Sequence, residues 1–189
     1  MANALVFATY DIKPEEWGDF AQAAAIKGTD IKPYILVYSC FPQDTTSRTN
    51  DIAAVVKSEL KSATYQELRT LFRKIVGSEE SLTPALFLIL DEESARDREV
   101  LIVDREAVWV NEADGTRMEC DPESIGEENA DQYKQKVIWR RWRVSFEKAE
   151  FYWIVLSRQG PFNLESDDYF QKCLQDIEIG PFEDSAAPP

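Results

Sequence analysis

The chain of 189 residues is 44% apolar, which is enough to bury one core without disulfide bonds. Its 35 acidic side chains outnumber its 21 basic ones, and the net charge of −14 disfavours long-range attraction to nucleic acid or to an anionic membrane. Histidine is absent, which excludes hydrolases that need an imidazole base and also histidine-ligated zinc or haem.

Alternating strands and helices are predicted at the start of the chain. Apolar runs at 5–10 and 34–39 predict the first two strands. Between them, apolar residues spaced i, i+3, i+4 and i+7 from Trp17 predict a helix, with Pro14 in its first turn and Gly28 after its end. A helix between two strands favours parallel pairing with a right-handed crossover.

Two helices and a pair of strands are predicted next. An apolar stripe predicts a helix over 51–60. The capping-box spacing of Thr64 and Glu67 predicts a second helix, which ends at Gly77. The elements predicted after it are a strand at 85–90, a turn at 91–97 and a partner strand at 100–104.

The second half is predicted to be rich in strands. Gly115, with the aspartate before it, is a typical hairpin dipeptide between predicted strands at 106–111 and 116–120. An acidic loop at 121–131 follows, and regular alternation then predicts another strand at 138–146.

The end of the chain leaves one alternative open. The run at 151–156 is either a strand or a buried helical turn, and it belongs either to the core, which is the default, or to a dimer surface. Ser166 is a typical cap of a last helix, and residues 181–189 are expected to form a flexible tail. We therefore expect a single domain over 1–180, with an acidic insertion at about 104–136.

Together these elements predict an α/β fold, with α+β as the alternative. Their order is β-α-β-α-α-β-β, followed by further strands and a final helix. The early strand–helix–strand units favour parallel pairing, and the later hairpins favour antiparallel pairing at the edge. A mixed sheet with helices packed on it and antiparallel edge hairpins is the expected architecture.

A resemblance to a known family extends over about residues 5–174 and is specific around residues 62–104. The runs that carry it are Thr-Tyr-Gln-Glu-Leu at 64–68, Phe-Leu-Ile-Leu-Asp at 87–91, Val-Leu-Ile-Val-Asp at 100–104, Arg-Val-Ser-Phe at 143–146 and Asp-Asp-Tyr-Phe at 167–170. Their order resembles an uncharacterised family of bacterial and filamentous-fungal proteins, domain of unknown function 6924. The resemblance implies the same α/β layout and supplies no catalytic residue.

A candidate site lies at one edge of the predicted sheet. Tyr10 and Asp11 follow the first predicted strand, and Ser39 and Cys40 follow the second. Parallel strands end at the same edge, which is where open α/β sheets bind ligands. Hydroxyl, carboxylate and thiol groups perform acid–base or nucleophilic chemistry without histidine, so Tyr10, Asp11 and Cys40 are the candidate catalytic residues. A lone cysteine is more commonly a small buried hydrophobe.

Two other patterns have a functional and a structural interpretation. Residues 139–143 interleave arginine with tryptophan, which are the ingredients of a base-stacking surface. The acidic net charge favours instead arginines that stack on tryptophan inside a sheet and pair with acids. A group of acids that flanks the predicted turn offers oxygen ligands for a divalent cation: Asp91, Glu92, Glu93, Asp97 and Asp104. A solvated turn is the favoured interpretation.

The odd number and wide spacing of the cysteines favour a reducing compartment. Cys40, Cys120 and Cys173 form no paired motif, and the first residues carry no basic segment of a secretory signal. We therefore expect a cytoplasmic protein.

Two functions are compatible with these observations. The favoured one is a non-catalytic interaction module, in which acidic segments at 104–131 and 165–184 bind a basic protein surface or a second copy of the chain. The alternative is a small-molecule-binding protein or a histidine-independent enzyme with its site at the C-terminal rim of strands 1 and 2. We expect no cofactor, no metal ion and no nucleic-acid or membrane partner.

Overall fold

The computed structural model describes residues 2–40, 51–118 and 121–157, and the backbone of residues 174–181. Its strands are β1 (Asn3–Ala8), β2 (Tyr34–Val37), β3 (Leu82–Leu90), β4 (Glu99–Asn111), β5 (Arg117–Met118), β6 (Tyr133–Ser145) and β7 (Leu174–Pro181). Its helices are α1 (Pro14–Ala23), α2 (Tyr65–Val76), α3 (Glu92–Asp97) and α4 (Phe146–Ser157).

The described strands form one mixed sheet. Their order is β2-β1-β3-β4-β6-β7, and β5 pairs with the outer end of β4. β1 pairs in parallel with both β2 and β3, whereas β4, β6 and β7 join the sheet by antiparallel pairs. The expected α/β fold is confirmed. As a consequence of these directions, β1, β2, β3 and β6 all end at the same edge of the sheet, which we call the carboxyl edge.

Helices cover both faces of the sheet. On one face, α1 and α4 bury side chains such as Trp17, Phe20 and Trp153. On the other face, α2 buries Leu68 and Phe72. Right-handed connections explain this division, because α1 leads outward from β1 to β2 and α2 returns past β1 to β3. The direction of progress across the sheet therefore reverses at β1, and the gap between β1 and β3 is the topological switch point.

The prediction of a helix over 51–60 is wrong. This segment is irregular, and Val56 forms an isolated antiparallel bridge with Ile12, through hydrogen bonds of 2.9 and 3.1 Å. The branched side chains of Ile52, Val55 and Val56 have a low helix propensity. The backbone amides here find fixed partners in the loop after β1, so the helix loses to tertiary hydrogen bonds.

The next two predicted segments differ in their outcome. The capping box before α2 is confirmed, since the Thr64 hydroxyl accepts the Glu67 amide. The turn predicted at 91–97 is instead helix α3, which begins where the Asp91 carboxylate accepts the amide of Ser94 at 2.9 Å. The described order is therefore β-α-β-α-β-α-β rather than β-α-β-α-α-β-β.

β4 and β6 form a long hairpin. The two strands predicted at 100–104 and 106–111 are one continuous strand, β4, and the predicted turn at Gly115 is confirmed by its φ of 77° and by the β4–β5 pair. We call residues 105–139, the outer parts of β4 and β6 with the turns between them, the arm. The expected acidic insertion at 104–136 covers most of the arm and stays a prediction, as does the extent of the domain.

Residues 151–156 belong to helix α4 and not to a strand. Tyr152, Trp153 and Val155 are buried, which confirms the core interpretation, while Phe151 is about half exposed at 49%. No described helix is long and apolar enough to cross a membrane. The last helix predicted from Ser166 and most of the predicted tail lie outside the described residues; the backbone of 174–181 forms β7, a strand that the sequence did not predict.

Candidate binding cleft at the carboxyl edge

A cleft of about 620 Å³ opens at the carboxyl edge. It lies where β1 and β3 end, at the topological switch point of the sheet, and this is the position at which open α/β sheets bind ligands. β1, β3, β6 and the segment before α2 each contribute to its walls. The lining residues are Thr9, Tyr10, Asp11, Lys61, Asp91, Glu92, Glu93 and Arg143.

Asp11 forms one side of this cleft and is held by three donors. Its carboxylate accepts the amide of Ser58 at 3.0 Å and forms ion pairs with Lys57 and Lys61 at 2.8 and 2.9 Å. The hydrogen bonds from Lys57 and Lys61 hold the pKa of Asp11 well below its ordinary value. Asp11 is therefore a fixed carboxylate that attaches the segment after β2 to the end of β1.

The space beside β1 on the β2 side is occupied by the chain itself. The Ser58 hydroxyl donates to the carbonyl of Ala8, and the amide of Glu59 donates to the carbonyl of Tyr38 at 2.8 Å. These bonds lay residues 56–60 across the ends of both strands. The rim that the sequence assigns to strands 1 and 2 is thus covered, and the open cleft lies on the other side of β1.

The four sequence candidates are accordingly divided. Tyr10 and Asp11 line the cleft. Ser39 is buried and its hydroxyl donates to the Glu59 carboxylate. Cys40 is an exposed free thiol and is not among the residues that line the cleft. The structure therefore brings the tyrosine and the carboxylate together and leaves the cysteine outside.

The opposite wall of the cleft is an acidic turn held by one arginine. Arg143, near the end of β6, forms an ion pair with Asp91 and lies 3.0 Å from the Glu93 carboxylate. Burial raises the pKa of Asp91, but the bonds from Arg143 and from the Ser94 amide outweigh it and leave the pKa below its ordinary value. This wall is therefore ionised and fixed in position.

Tyr10 separates the cleft from a smaller cavity of about 220 Å³. The smaller cavity has an apolar floor with Leu90 and Phe146, and acids of α1 at its rim. Burial, together with the carboxylates of Glu16 and Asp91, raises the pKa of Tyr10. At neutral pH its phenol is a neutral hydroxyl, which can donate a hydrogen bond but is a poor general base.

The contacts of the arginine–tryptophan cluster at 139–143 favour its structural interpretation over a base-stacking surface. Arg69 of α2 lies over the ring of Trp139 at 5.4 Å, and Arg141 lies over the ring of Tyr65 at 3.8 Å. On the other face, the buried Arg140 pairs with Asp104. The predicted pairing with acids is confirmed for Arg140 and Arg143, whereas the stacking differs from the prediction: the ring of Trp139 is covered by Arg69 from α2, and Arg141 lies over a tyrosine.

The acids between 91 and 104 do not gather around a common point. Asp91 and Glu93 pair with Arg143, Asp97 pairs with Arg96, and Asp104 is buried. Among the described residues, no group of three or more histidine, cysteine or acidic side chains has the geometry to hold a metal ion.

Sequence reasoning missed the cations of the cleft. Lys57 lies in the segment predicted to be helical and Lys61 directly follows it, so the sequence gives neither lysine a place at the sheet edge. Arg143 was assigned to the stacking cluster. The available signal was the alternation of β6, which places Arg143 on the face opposite Trp142 and near the end of the strand.

Neither the models of known protein families nor the curated proteins and solved structures compared with this chain give a match. The resemblance to domain of unknown function 6924 therefore stays a prediction based on residues 62–104. Any functional conclusion has to come from the cleft and from the surface charges.

Proposed function

We propose that the chain binds a small polar molecule in the carboxyl-edge cleft. The observation that carries this proposal is the position of the cleft at the β1/β3 switch point. Its walls come from separate parts of the chain, and ion pairs fix them before any ligand arrives. A site that is formed in advance loses less entropy when it binds.

Binding is better supported than catalysis. The phenol of Tyr10 has a raised pKa, and the Asp11 carboxylate already accepts three donors. Neither group has the near-neutral pKa that suits an acid or base at neutral pH. The free thiol of Cys40 lies outside the set of lining residues. A histidine-independent enzyme therefore remains the less favoured form of this proposal.

The test is an NMR screen of the labelled protein against a panel of small polar molecules. A ligand of the cleft should shift the amide signals of 9–11 and 91–93 together. The variant Glu92→Trp places a large side chain at the cleft and should abolish those shifts. The matched variant Glu80→Trp, at the opposite edge of the sheet, should retain them. A panel that leaves both segments unshifted, or shifts them equally in Glu92→Trp, contradicts the proposal.

A second candidate function is interaction with a basic protein surface or a second copy through the arm. The acids Glu123, Glu128 and Asp131 at its end are exposed and have no ion pair with any described residue. Two basic side chains of β6 pair with acids away from the arm end, since Arg140 pairs with Asp104 and Arg143 with Asp91. The negative charge at the arm end is therefore available to a partner. If the affinity for polylysine does not fall as the ionic strength is raised, this candidate function is wrong.

We also propose a cytoplasmic location and no nucleic-acid partner. The exposed thiol of Cys40 is compatible with a reducing compartment. The net charge of −14 opposes binding to a polyanion. Fractionation of cells that express the tagged chain tests the location, and a gel-shift titration against mixed DNA and RNA tests the second statement.

A further inference from the structure

The charges of the cleft are not balanced locally. On the side of Asp11, one carboxylate accepts two lysines, and it also accepts the amide of Ser58. Lys57 and Lys61 are 80% and 55% exposed, and of the two only Lys61 lines the cleft. Because Lys57 alone neutralises Asp11, the ammonium group of Lys61 is a surplus positive charge at this end.

The other end of the cleft has a surplus of negative charge. Arg143 is shared between Asp91 and Glu93, so one cation faces two carboxylates. Glu92 is an exposed lining residue and forms no ion pair with another described residue. The carboxylate of Glu92 is therefore the group at this end that is available to a ligand.

We infer that the ligand is a zwitterion of the amino-acid or short-peptide class, with its carboxylate at Lys61 and its ammonium group at Glu92. This inference rests on the proposed function of the cleft. A simple anion meets four carboxylates along the walls, and a simple cation meets Lys61 and Arg143. A molecule with one charge of each sign places an opposite charge at each end, where it pairs with the ammonium group of Lys61 and with the carboxylate of Glu92. The volume of about 620 Å³ leaves room for more than one residue of a peptide.

Three peptides of equal length test the inference: triglycine, N-acetyl-triglycine, which lacks the ammonium group, and triglycine amide, which lacks the carboxylate. Their affinities are measured by NMR titration of the amides at 9–11 and 91–93. Triglycine should bind about fivefold more tightly than either blocked peptide, because a partly exposed charge pair contributes up to about that factor. Equal binding of all three, or tighter binding of a blocked form, overturns the inference.

Variants assign each charge. Lys61→Gln should reduce triglycine binding to that of triglycine amide and leave binding of the amide unchanged. Glu92→Gln should reduce triglycine binding to that of N-acetyl-triglycine and leave binding of N-acetyl-triglycine unchanged. Lys57→Gln should also weaken triglycine, because Lys61 is then needed by Asp11. The controls Lys74→Gln and Glu80→Gln, at the opposite edge, should have no effect. An equal loss in the control variants overturns the inference.

The failure of the inference and of the proposed function are distinguishable. If the cleft signals respond only to a blocked peptide, or only to anions or cations of the broader panel, the ligand is not a zwitterion but the cleft still binds small molecules. If no molecule of the panel or of the peptide set perturbs the cleft signals, both proposals fail. A response of the wild type that Glu92→Trp removes, with triglycine as the tightest of the three peptides, supports both.

Discussion

The carboxyl-edge cleft and the arm are both rich in charge, but the charges are arranged differently. In the cleft, opposite charges lie in contact, as Lys61 does with Asp11 at 2.9 Å and Arg143 with Glu93 at 3.0 Å. At the arm end, acids such as Glu123 and Glu128 are exposed and have no cation partner among the described residues. The ion pairs of the first arrangement fix the shape of the cleft, whereas the exposed acids of the second create a negative electrostatic field around the arm end. Charge density along the sequence therefore does not locate a built pocket, whereas strand topology does.

The largest effect is expected at the base of the arm, where Arg140 pairs with the buried Asp104 and with Glu106. Burial raises the pKa of Asp104 despite the opposing effect of Arg140. Arg140→Met removes the cation that pairs with the buried carboxyl group of Asp104. The free energy of unfolding should therefore fall by about 3–5 kcal/mol. Urea-induced unfolding measures the loss.

A double variant separates the lost pair from the lost packing. Asp104→Leu with Arg140→Met replaces both charges by apolar groups, and its stability should return to within about 1 kcal/mol of the wild type. If the double variant is as unstable as the single one, the pair is not the source of the effect.

Arg143→Met makes the matched change in the cleft. Arg143 also faces two carboxylates, but its side chain is 18% exposed and Glu93 is 57% exposed, so water replaces part of the lost interaction. The free energy of unfolding should therefore fall by only about 1–2 kcal/mol. Unfolding under the same conditions as for Arg140→Met gives the comparison. A loss of unfolding free energy equal to that of Arg140→Met would show that water is excluded from the ion pairs of the cleft as fully as from those at the base of the arm.

The sequence predicted the layers of this fold better than its edge. Apolar runs located β1 and β3, and the Thr64 capping box located the start of α2, because each signal is local and burial follows directly from it. The same periodicity failed over 51–60, where hydrogen bonds to residues more than forty positions away decide the conformation. Tyr10 and Asp11 were correctly placed at the sheet edge, but their neighbours across the cleft depend on strand order.

Asp11→Asn tests the charge side of the cleft through pH. The pKa of Asp11 is lowered in the folded state, mainly by Lys57 and Lys61. A lowered pKa adds stability that is complete above the unfolded value of about 4 and is lost as the pH falls through the folded value. The wild type should therefore be more stable than Asp11→Asn at neutral pH, and the two should converge in acid. Thermal unfolding from neutral pH downward measures this difference. A difference that persists at low pH would indicate lost packing instead.

The smallest effect on stability is expected at the arm end, although the effect on association is large there. Replacing Glu123, Glu128 and Asp131 with their amides changes exposed groups without ion pairs, so the free energy of unfolding should stay within about 0.5 kcal/mol of the wild type. Binding to polylysine at low salt should weaken several-fold, because the local field at the arm end is removed. The control removes three charges elsewhere, at Asp30, Asp51 and Glu80. If the control weakens polylysine binding equally, only the net charge matters and the arm is not a distinct interaction surface.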